Sequence, residues 1–394
     1  MPSTESPPPP LPTEPAAPGW SRIPWPAKWQ FLVRGVAGLY ACGLLLHRGY
    51  VSAVLRLGRK DPQTTPFPTL GIGNVHAGGA GKTPLALWWL KSMDQRYSGK
   101  PWGYLSRGYG RPSTDFRWVS ADDPASEVGD EALMAAAQRP EKTVGVAANR
   151  RKGLAFFAQE STCAGVVLDD VLQHRWVQPT AMLVACPWDR PWDRESLLPV
   201  GTLRDFPRSA GRAQAVVVTG TPLDATRQEL VLLAARLRRA ANKTASWPVY
   251  FAQWVYGDWI PWKPGERSLP MNSEAPGPSG PVLCASGIAR PERFLAAVQA
   301  RVPVAQTAFY PDHTPLNAAH LLDLARQTGI QDVVLTAKDA ARMESIWRTG
   351  ASQTPGPVDT LRFWILPVEV GFLEGPDGGE PEALAYLCAH VGLS

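Results

Sequence analysis

Residues 69–93 read TLGIGNVHAGGAGKTPLALWWLKSM. TLGIGNV predicts a short buried strand and KTPLALWWLKSM a helix. Between them lies HAGGAGKTP, whose second half matches the end of a phosphate-binding loop. The G-x-x-x-x-G-K-[ST] pattern wants glycine first, and this chain has His76 there. The strand and helix on either side are the context such a loop needs. Gly78, Gly79 and Gly81 let backbone amides turn toward phosphate oxygens, and the helix starting near Lys82 aims its positive end at the same place. His76, Ala77, Gly78, Gly79, Ala80, Gly81, Lys82 and Thr83 form the candidate ATP site. Lys82 would reach the β- and γ-phosphates and Thr83 would ligate magnesium. Pro84 suits the first helical turn, where its missing N–H costs nothing.

The strand-then-helix alternation continues on both sides of this loop. WGYLSRGYG (102–110), TVGVAA (143–148), AGVVLDD (164–170), AMLVAC (181–186) and AQAVVVTG (213–220) read as strands. GDEALMAAAQ (129–138) and NRRKGLAFFAQ (149–159) read as helices. This order predicts an α/β fold: a P-loop NTPase-like, mainly parallel sheet with helices on both faces. After a tryptophan-rich stretch the pattern resumes with PVLCASGI, RPERFLAAVQA, AAHLLDLARQTG and DVVLTAKDAARM. These predict a second, smaller α/β lobe. Two domains also suit 394 residues, a length beyond one compact core.

The expected divisions are a disordered proline-rich tail (1–27), an N-terminal membrane-associated helix (28–60) and a P-loop kinase domain (61–245). A strand pair and loop (246–280) then link to a C-terminal lobe (281–394), whose last helix is free to return to the first domain. The tail lacks the basic start and apolar run of a secretory signal. The apolar run Phe31–Leu46 is broken by Arg34 and is shorter than the ~20 residues needed to span a bilayer. With Trp29, Tyr40 and Tyr50 and basic residues at both ends, it suits a helix lying in an anionic interface. A formal net charge of +5 fits anionic partners without selecting among them. No nucleic-acid-binding module is present, so none is expected as a partner. The five cysteines are scattered, without a C-x-x-C pair, which argues against a disulfide framework or zinc site.

A phosphate loop needs a second magnesium contact, and AGVVLDD supplies one by ending an apolar strand in Asp169 and Asp170. A kinase also needs a group that prepares the acceptor hydroxyl. SEVGDEALM sets Asp130 at a helix start, and FYPDHTP sets Asp312 and His313 in a proline-bracketed loop of the second lobe. Blandly, Asp130 is a helix cap and His313 a surface histidine.

Eight segments occur in order: GNVHAGGAGKTP, LSRGYGR, VGDEALM, LDDVLQHR, LLPVGTLRD, SGIARPERF, FYPDHTP and VLTAKDAARM. Together they resemble the tetraacyldisaccharide 4'-kinase (lipid A 4'-kinase) family over about residues 31–345. The chain departs from that family's pattern at His76, Val171, Asp205 and Ala337. The resemblance implies two α/β lobes with the active site in their cleft and the N-terminal helix on the cytoplasmic face of the bacterial inner membrane. It implies that ATP, with Mg2+, phosphorylates the 4' hydroxyl of a tetraacyl glucosamine disaccharide 1-phosphate, forming lipid IVA and ADP. It further implies Asp130 as the base with His313 as its partner, and Arg107, Gln173, His174, Arg204 and Asp205 near the substrate or its phosphates. The competing expectation is a membrane-associated P-loop ATPase switch or carrier-type ATPase with no lipid substrate.

Overall fold

The computed structural model describes residues 27–57, 63–97, 99, 101–139, 141–264, 275–312, 314, 316–348 and 361–393. The expected tail lies outside them except for Ala27, and so does His313. A long helix, α1 (Ala27–Arg56), comes first. The chain then runs β1 (Gln63–Thr64), β2 (Thr69–Gly73), α2 (Lys82–Arg96), β3 (Trp102–Ser106), β4 (Arg117–Trp118), α3 (Ala125–Val128), α4 (Asp130–Gln138) and β5 (Val144–Val146). Next are α5 (Arg150–Glu160), β6 (Gly165–Asp169), β7 (Val177–Gln178), β8 (Ala181–Pro187), β9 (Ala215–Thr219), α6 (Arg227–Ala240) and β10 (Val249–Tyr256). The second lobe holds β11 (Ile260–Trp262), β12 (Val282–Ser286), α7 (Pro291–Gln299), β13 (Val304–Phe309), α8 (Ala318–Thr328), β14 (Asp332–Leu335), α9 (Ala337–Arg348) and β15 (Arg362–Ile365). The chain ends with β16 (Val368–Leu373) and α10 (Glu380–Val391).

The large sheet has the order β16-β10-β9-β8-β2-β6-β3-β5-β4. It is parallel from β10 to β5, with β16 and β4 antiparallel at the edges. Parallel strands buried on both faces read as continuous apolar runs, and AVVVT in β9 is buried at every position. Its alternate side chains feed different cores. Val217 packs with Leu85, Trp89 and Leu133 beneath α2 and α4, whereas Val216 and Val218 pack with Phe157, Leu230 and Leu237 beneath α5 and α6. The smaller sheet, β11-β15-β14-β12-β13, is parallel except at β11. Both sheets place the C-terminal ends of their central strands where α/β folds bind ligands.

The layout departs from the expected divisions in two respects. The described residues 246–264 do not merely link the lobes: β10 joins the large sheet beside β9, and β11 forms an edge of the small one. The strand β16 also belongs with the first lobe, to which the last helix returns as the sequence reading allowed. There β16 pairs with β10, and α10 is fastened by Trp88 Nε1 donating to Glu380 Oε1 (2.8 Å) and by burial of Leu387, Cys388 and Val391. Each such full burial of a Leu-sized side chain contributes about 1.5–3 kcal/mol. An apolar strand pattern does not say which of two sheets it will join.

The apolar surface of α1 runs past Leu46, where the sequence's apolar run ends. The α1 segment Phe31–Val54 is 24 residues long and apolar enough, by length and composition, to cross a membrane. Phe31, Leu39, Leu46 and Tyr50 are exposed along it. The Arg48 side chain turns back to the first lobe. It donates to Ser209 Oγ, lies 3.9 Å from Asp205 and sits 5.4 Å from the Phe206 ring centroid.

Candidate active site

The loop between β2 and α2 is built as the sequence required. Gly78, Gly79 and Gly81 have φ of 74°, 38° and 77°. Gly81 is the N-cap of α2 in the left-handed region, and a Cβ there would collide with the Trp254 ring. Thr219 Oγ1 donates to the Ala80 carbonyl (3.0 Å), tying the loop to the end of β9. Lys82 Nζ donates to Asn74 Oδ1 (3.3 Å) and lies 3.6 Å from Asp170 Oδ1.

His76 faces away from this cradle. It is fully buried, and its Nε2 is 2.7 Å from the Arg190 carbonyl. Beside it, the Ala77 amide donates to the Thr202 carbonyl (2.7 Å). Burial, and then the neighbouring Arg190, push the imidazole down to about 3, so it is neutral and its Nε2–H donates. The residue that departs from the phosphate-loop pattern anchors the loop from behind.

Asp169 and Asp170, adjacent in sequence, stand in different surroundings. Asp169 is buried at the end of β6. Its Oδ2 accepts from Thr83 Oγ1 (3.0 Å) and Tyr104 OH (2.5 Å), while Oδ1 is buried with no hydrogen-bond partner. Burial raises its carboxyl above the usual range, against the pull of Lys82. An orphaned carboxylate oxygen beside a threonine hydroxyl is a donor set that fits magnesium, and these two residues would hold the ion. Asp170 turns outward with φ 53°. Burial acts to raise its carboxyl, but Lys82, Arg204 and Arg150 outweigh it and hold it well below the usual range. Arg204 binds both Asp170 oxygens, one at 3.0 Å, and also donates to Asn74 Oδ1 (2.6 Å). Val171, where glycine is usual, is fully buried and fills the space that Gly71 leaves open.

The remaining expected residues divide. Gln173 Nε2 donates to the Asn74 carbonyl (2.9 Å) and so braces the loop. Burial and then Arg150 depress His174 to about 4. Arg107 is exposed beyond the end of β3, and its charge acts on Arg150 and His174. The Asp205 side chain is buried toward α1 and accepts from the Phe206 amide (2.8 Å), while its own amide donates to the Val75 carbonyl (3.3 Å) at the start of the loop. Tyr40 OH of α1 donates to the Arg204 carbonyl (2.8 Å), so the exposed helix touches the residue that grips Asp170.

Asp130 begins α4 where the lobes meet. Arg342 Nη2 of α9 lies 2.7 Å from its Oδ2, and Lys338 Nζ lies 3.9 Å away. Lys338 is also 3.8 Å from Asp312 Oδ1 and 3.4 Å from Glu131 Oε1. The structure therefore brings Asp130 to the loop that carries Asp312. Arg342 itself is held by the fully buried Asp339 (3.2 Å) and donates to the Gly287 carbonyl (2.8 Å).

Sequence reasoning missed several of these groups. Arg150, 1% exposed, donates to the carbonyls of Ala147 (2.8 Å) and Asp169 (2.9 Å) and fixes the end of β6. Tyr104, Asn74, Lys338 and Arg342 were also missed. Asn74, Lys338 and Arg342 lie inside segments that carried the resemblance, which is the one signal that pointed to them.

The comparisons agree on kinship. A sequence model of the family described as tetraacyldisaccharide-1-P 4'-kinase matches residues 29–381. A tetraacyldisaccharide 4'-kinase of Porphyromonas gingivalis is 30% identical over 318 residues, covering 77% of this chain and 83% of the relative. That of Chlorobium luteolum is 33% identical over 315 residues, covering 74% and 82%. Among solved structures, the "apo" form LpxK from Aquifex aeolicus in complex with ATP superimposes with a TM-score of 0.64 at 19% identity, covering 92% of this chain and 99% of that one. At that identity the likeness shows the fold.

Proposed function

The chain belongs to the tetraacyldisaccharide-1-P 4'-kinase family, and we propose that it moves the γ-phosphoryl group of ATP to the 4' hydroxyl of a tetraacyl glucosamine disaccharide 1-phosphate, giving lipid IVA and ADP. The observation that carries this reading is the convergence of Lys82, Thr83, Asp169 and Asp170 on one glycine loop. Phosphoryl transfer depends on positioning and charge neutralisation more than on covalent chemistry. Loop amides from Gly78 to Thr83 and the Lys82 ammonium supply both for the β- and γ-phosphates. Magnesium, held by Thr83 and Asp169, would add further neutralisation of the phosphate oxygens. Arg204 keeps Asp170 ionised and in place beside Lys82.

Asp130 is the carboxylate placed to accept the acceptor's proton as the O–P bond forms, and Arg342 and Lys338 hold it there. His313 of the adjoining loop is its proposed partner. Because these groups come from both lobes, their approach completes the site and excludes water. The lipid acceptor puts the reaction at a membrane, and the ATP supply puts it at the cytoplasmic face of the bacterial inner membrane. The exposed apolar surface of α1 is the proposed membrane contact.

The test is incubation of the full chain with ATP, magnesium and a tetraacyl disaccharide 1-phosphate in detergent, read by mass spectrometry. The lipid is expected to gain one phosphate. ATP consumption that ignores the lipid, with no mass gain, would favour the ATPase-switch reading instead.

A further inference from the structure

A second cluster of charge lies against the glycine loop, on side chains given no role above. Asp189 and Arg190 follow β8, while Arg290 caps α7 and Arg293 lies in its first turn. A Cβ placed on Gly79 would sit 3.5 Å from Ala289 Cβ, 3.9 Å from Arg290 Cδ and 3.9 Å from an Arg190 guanidinium nitrogen. One placed on Gly220 would collide with the Arg293 guanidinium. The Arg190 guanidinium and the Arg290 stem therefore border the loop at Gly79, and the Arg293 guanidinium lies at the neighbouring end of β9.

Their pairing is incomplete. Arg290 and Arg293 both bind Asp189 through the same oxygen, Oδ2, the latter at 2.8 Å. Asp189 Oδ1 is buried without a partner. Arg190 is 6% exposed, and its Nε and Nη1 have no hydrogen-bond partner. A structural staple would use both carboxylate oxygens and satisfy the buried guanidinium, since an unmet charged donor is expensive to bury. Glu195 also acts on Arg190 but is bound to Thr202, and Glu292 is exposed. In contact with Asp189 are two of three guanidiniums, so positive charge is in excess beside an exposed stretch of loop.

We propose that Arg190, Arg290 and Arg293 form a clamp for the polyphosphate of the bound nucleotide, and that Asp189 holds the second-lobe arginines until phosphate oxygens replace it. The clamp rests on the reading of the glycine loop as the ATP site. It makes nucleotide binding and lobe closure one event: the anion that fills the loop also attracts the start of α7. Arg290 and Arg293 are positioning residues that hold the second lobe over the phosphates, and Asp189 is a competitor for the same donors.

The test is calorimetric titration of the full chain in detergent with ATP, tripolyphosphate and AMP, alongside melting temperatures with and without ATP. Lys82→Ala is the control for the underlying reading. Removing one charge-assisted contact predicts a loss of about tenfold or more in ATP and tripolyphosphate affinity for Arg190→Ala and Arg290→Ala, with AMP affinity and the KM for lipid unchanged. Arg290→Lys should recover part of the loss. Asp189→Asn, which is near-isosteric, should bind ATP more tightly than wild type, although its ATP-free form melts lower. ATP affinity unchanged or weakened in Asp189→Asn, or unchanged in Arg290→Ala, would overturn the clamp and leave a structural staple. Should wild type bind no ATP, or Lys82→Ala bind it normally, the glycine-loop reading itself fails and the clamp fails with it.

Discussion

The phosphate cradle and the lobe junction are built from similar groups but by different means. In the cradle, Lys82, Thr83, Asp169 and Asp170 come from two short segments of the first lobe, at the ends of neighbouring parallel strands. At the junction, Asp130 meets Arg342 and Lys338 across more than 200 residues of chain. Local backbone geometry determines the first arrangement, whereas the second requires the contact between two separate sheets. The cradle should therefore govern nucleotide binding, and the junction should govern transfer and the joint stability of the lobes.

Lys82→Ala tests that division with the largest expected effect. Loss of a preorganised charge on the transferring phosphate predicts a fall in turnover on the order of 10³-fold. ATP binding should fall too, with the melting temperature close to wild type. Steady-state kinetics with calorimetry checks this, and a variant that binds ATP normally would break the comparison.

Arg342→Met tests the other side. Arg342 is 2% exposed and links Asp130 to Asp339, so its removal strips a partner from each. Breaking a buried pair costs about 3–5 kcal/mol. Denaturant unfolding should register that loss, together with slower transfer and nearly unchanged ATP affinity. A variant as stable as wild type would show that the Arg342 link adds nothing to the joint stability of the lobes.

The smallest effect concerns His76. It is neutral in the folded chain, with a value near 3, and takes up a proton on unfolding at any pH below its ordinary 6.5. The unfolded state then binds the extra proton, so stability falls as pH drops from about 6.5 toward 3, by up to about 1.4 kcal/mol per pH unit. His174, at about 4, acts in the same direction. In His76→Gln the wild-type advantage at pH 7 should shrink at pH 5, while the KM for ATP at pH 7 stays unchanged. Parallel stability profiles would contradict the buried neutral imidazole, and a raised KM would show that His76 shapes the nucleotide site.

What was legible in the sequence follows the same division. Strand–loop–helix alternation revealed the large sheet, because buried parallel strands are continuous apolar runs. GAGKT and the DD pair located the cradle, because their spacing encodes a local shape. Tyr104 and Arg150 escaped notice because a tyrosine in an apolar strand and an arginine at a helix start look ordinary until β6 lies beside them. The return of β16 to the first lobe, and the meeting of Asp189 with Arg290, depend on docking that no local pattern records. His76 looked like damage to a motif because only the fold shows the Arg190 carbonyl behind it.

The division of labour is tested most directly by separating binding from transfer in Asp130→Asn, with calorimetry for ATP and single-turnover mass spectrometry for phosphate on the tetraacyl disaccharide. ATP affinity should remain within about twofold of wild type, while the transfer rate should fall by about 10²-fold or more. Transfer at the wild-type rate, or loss of ATP binding in step with transfer, would contradict it.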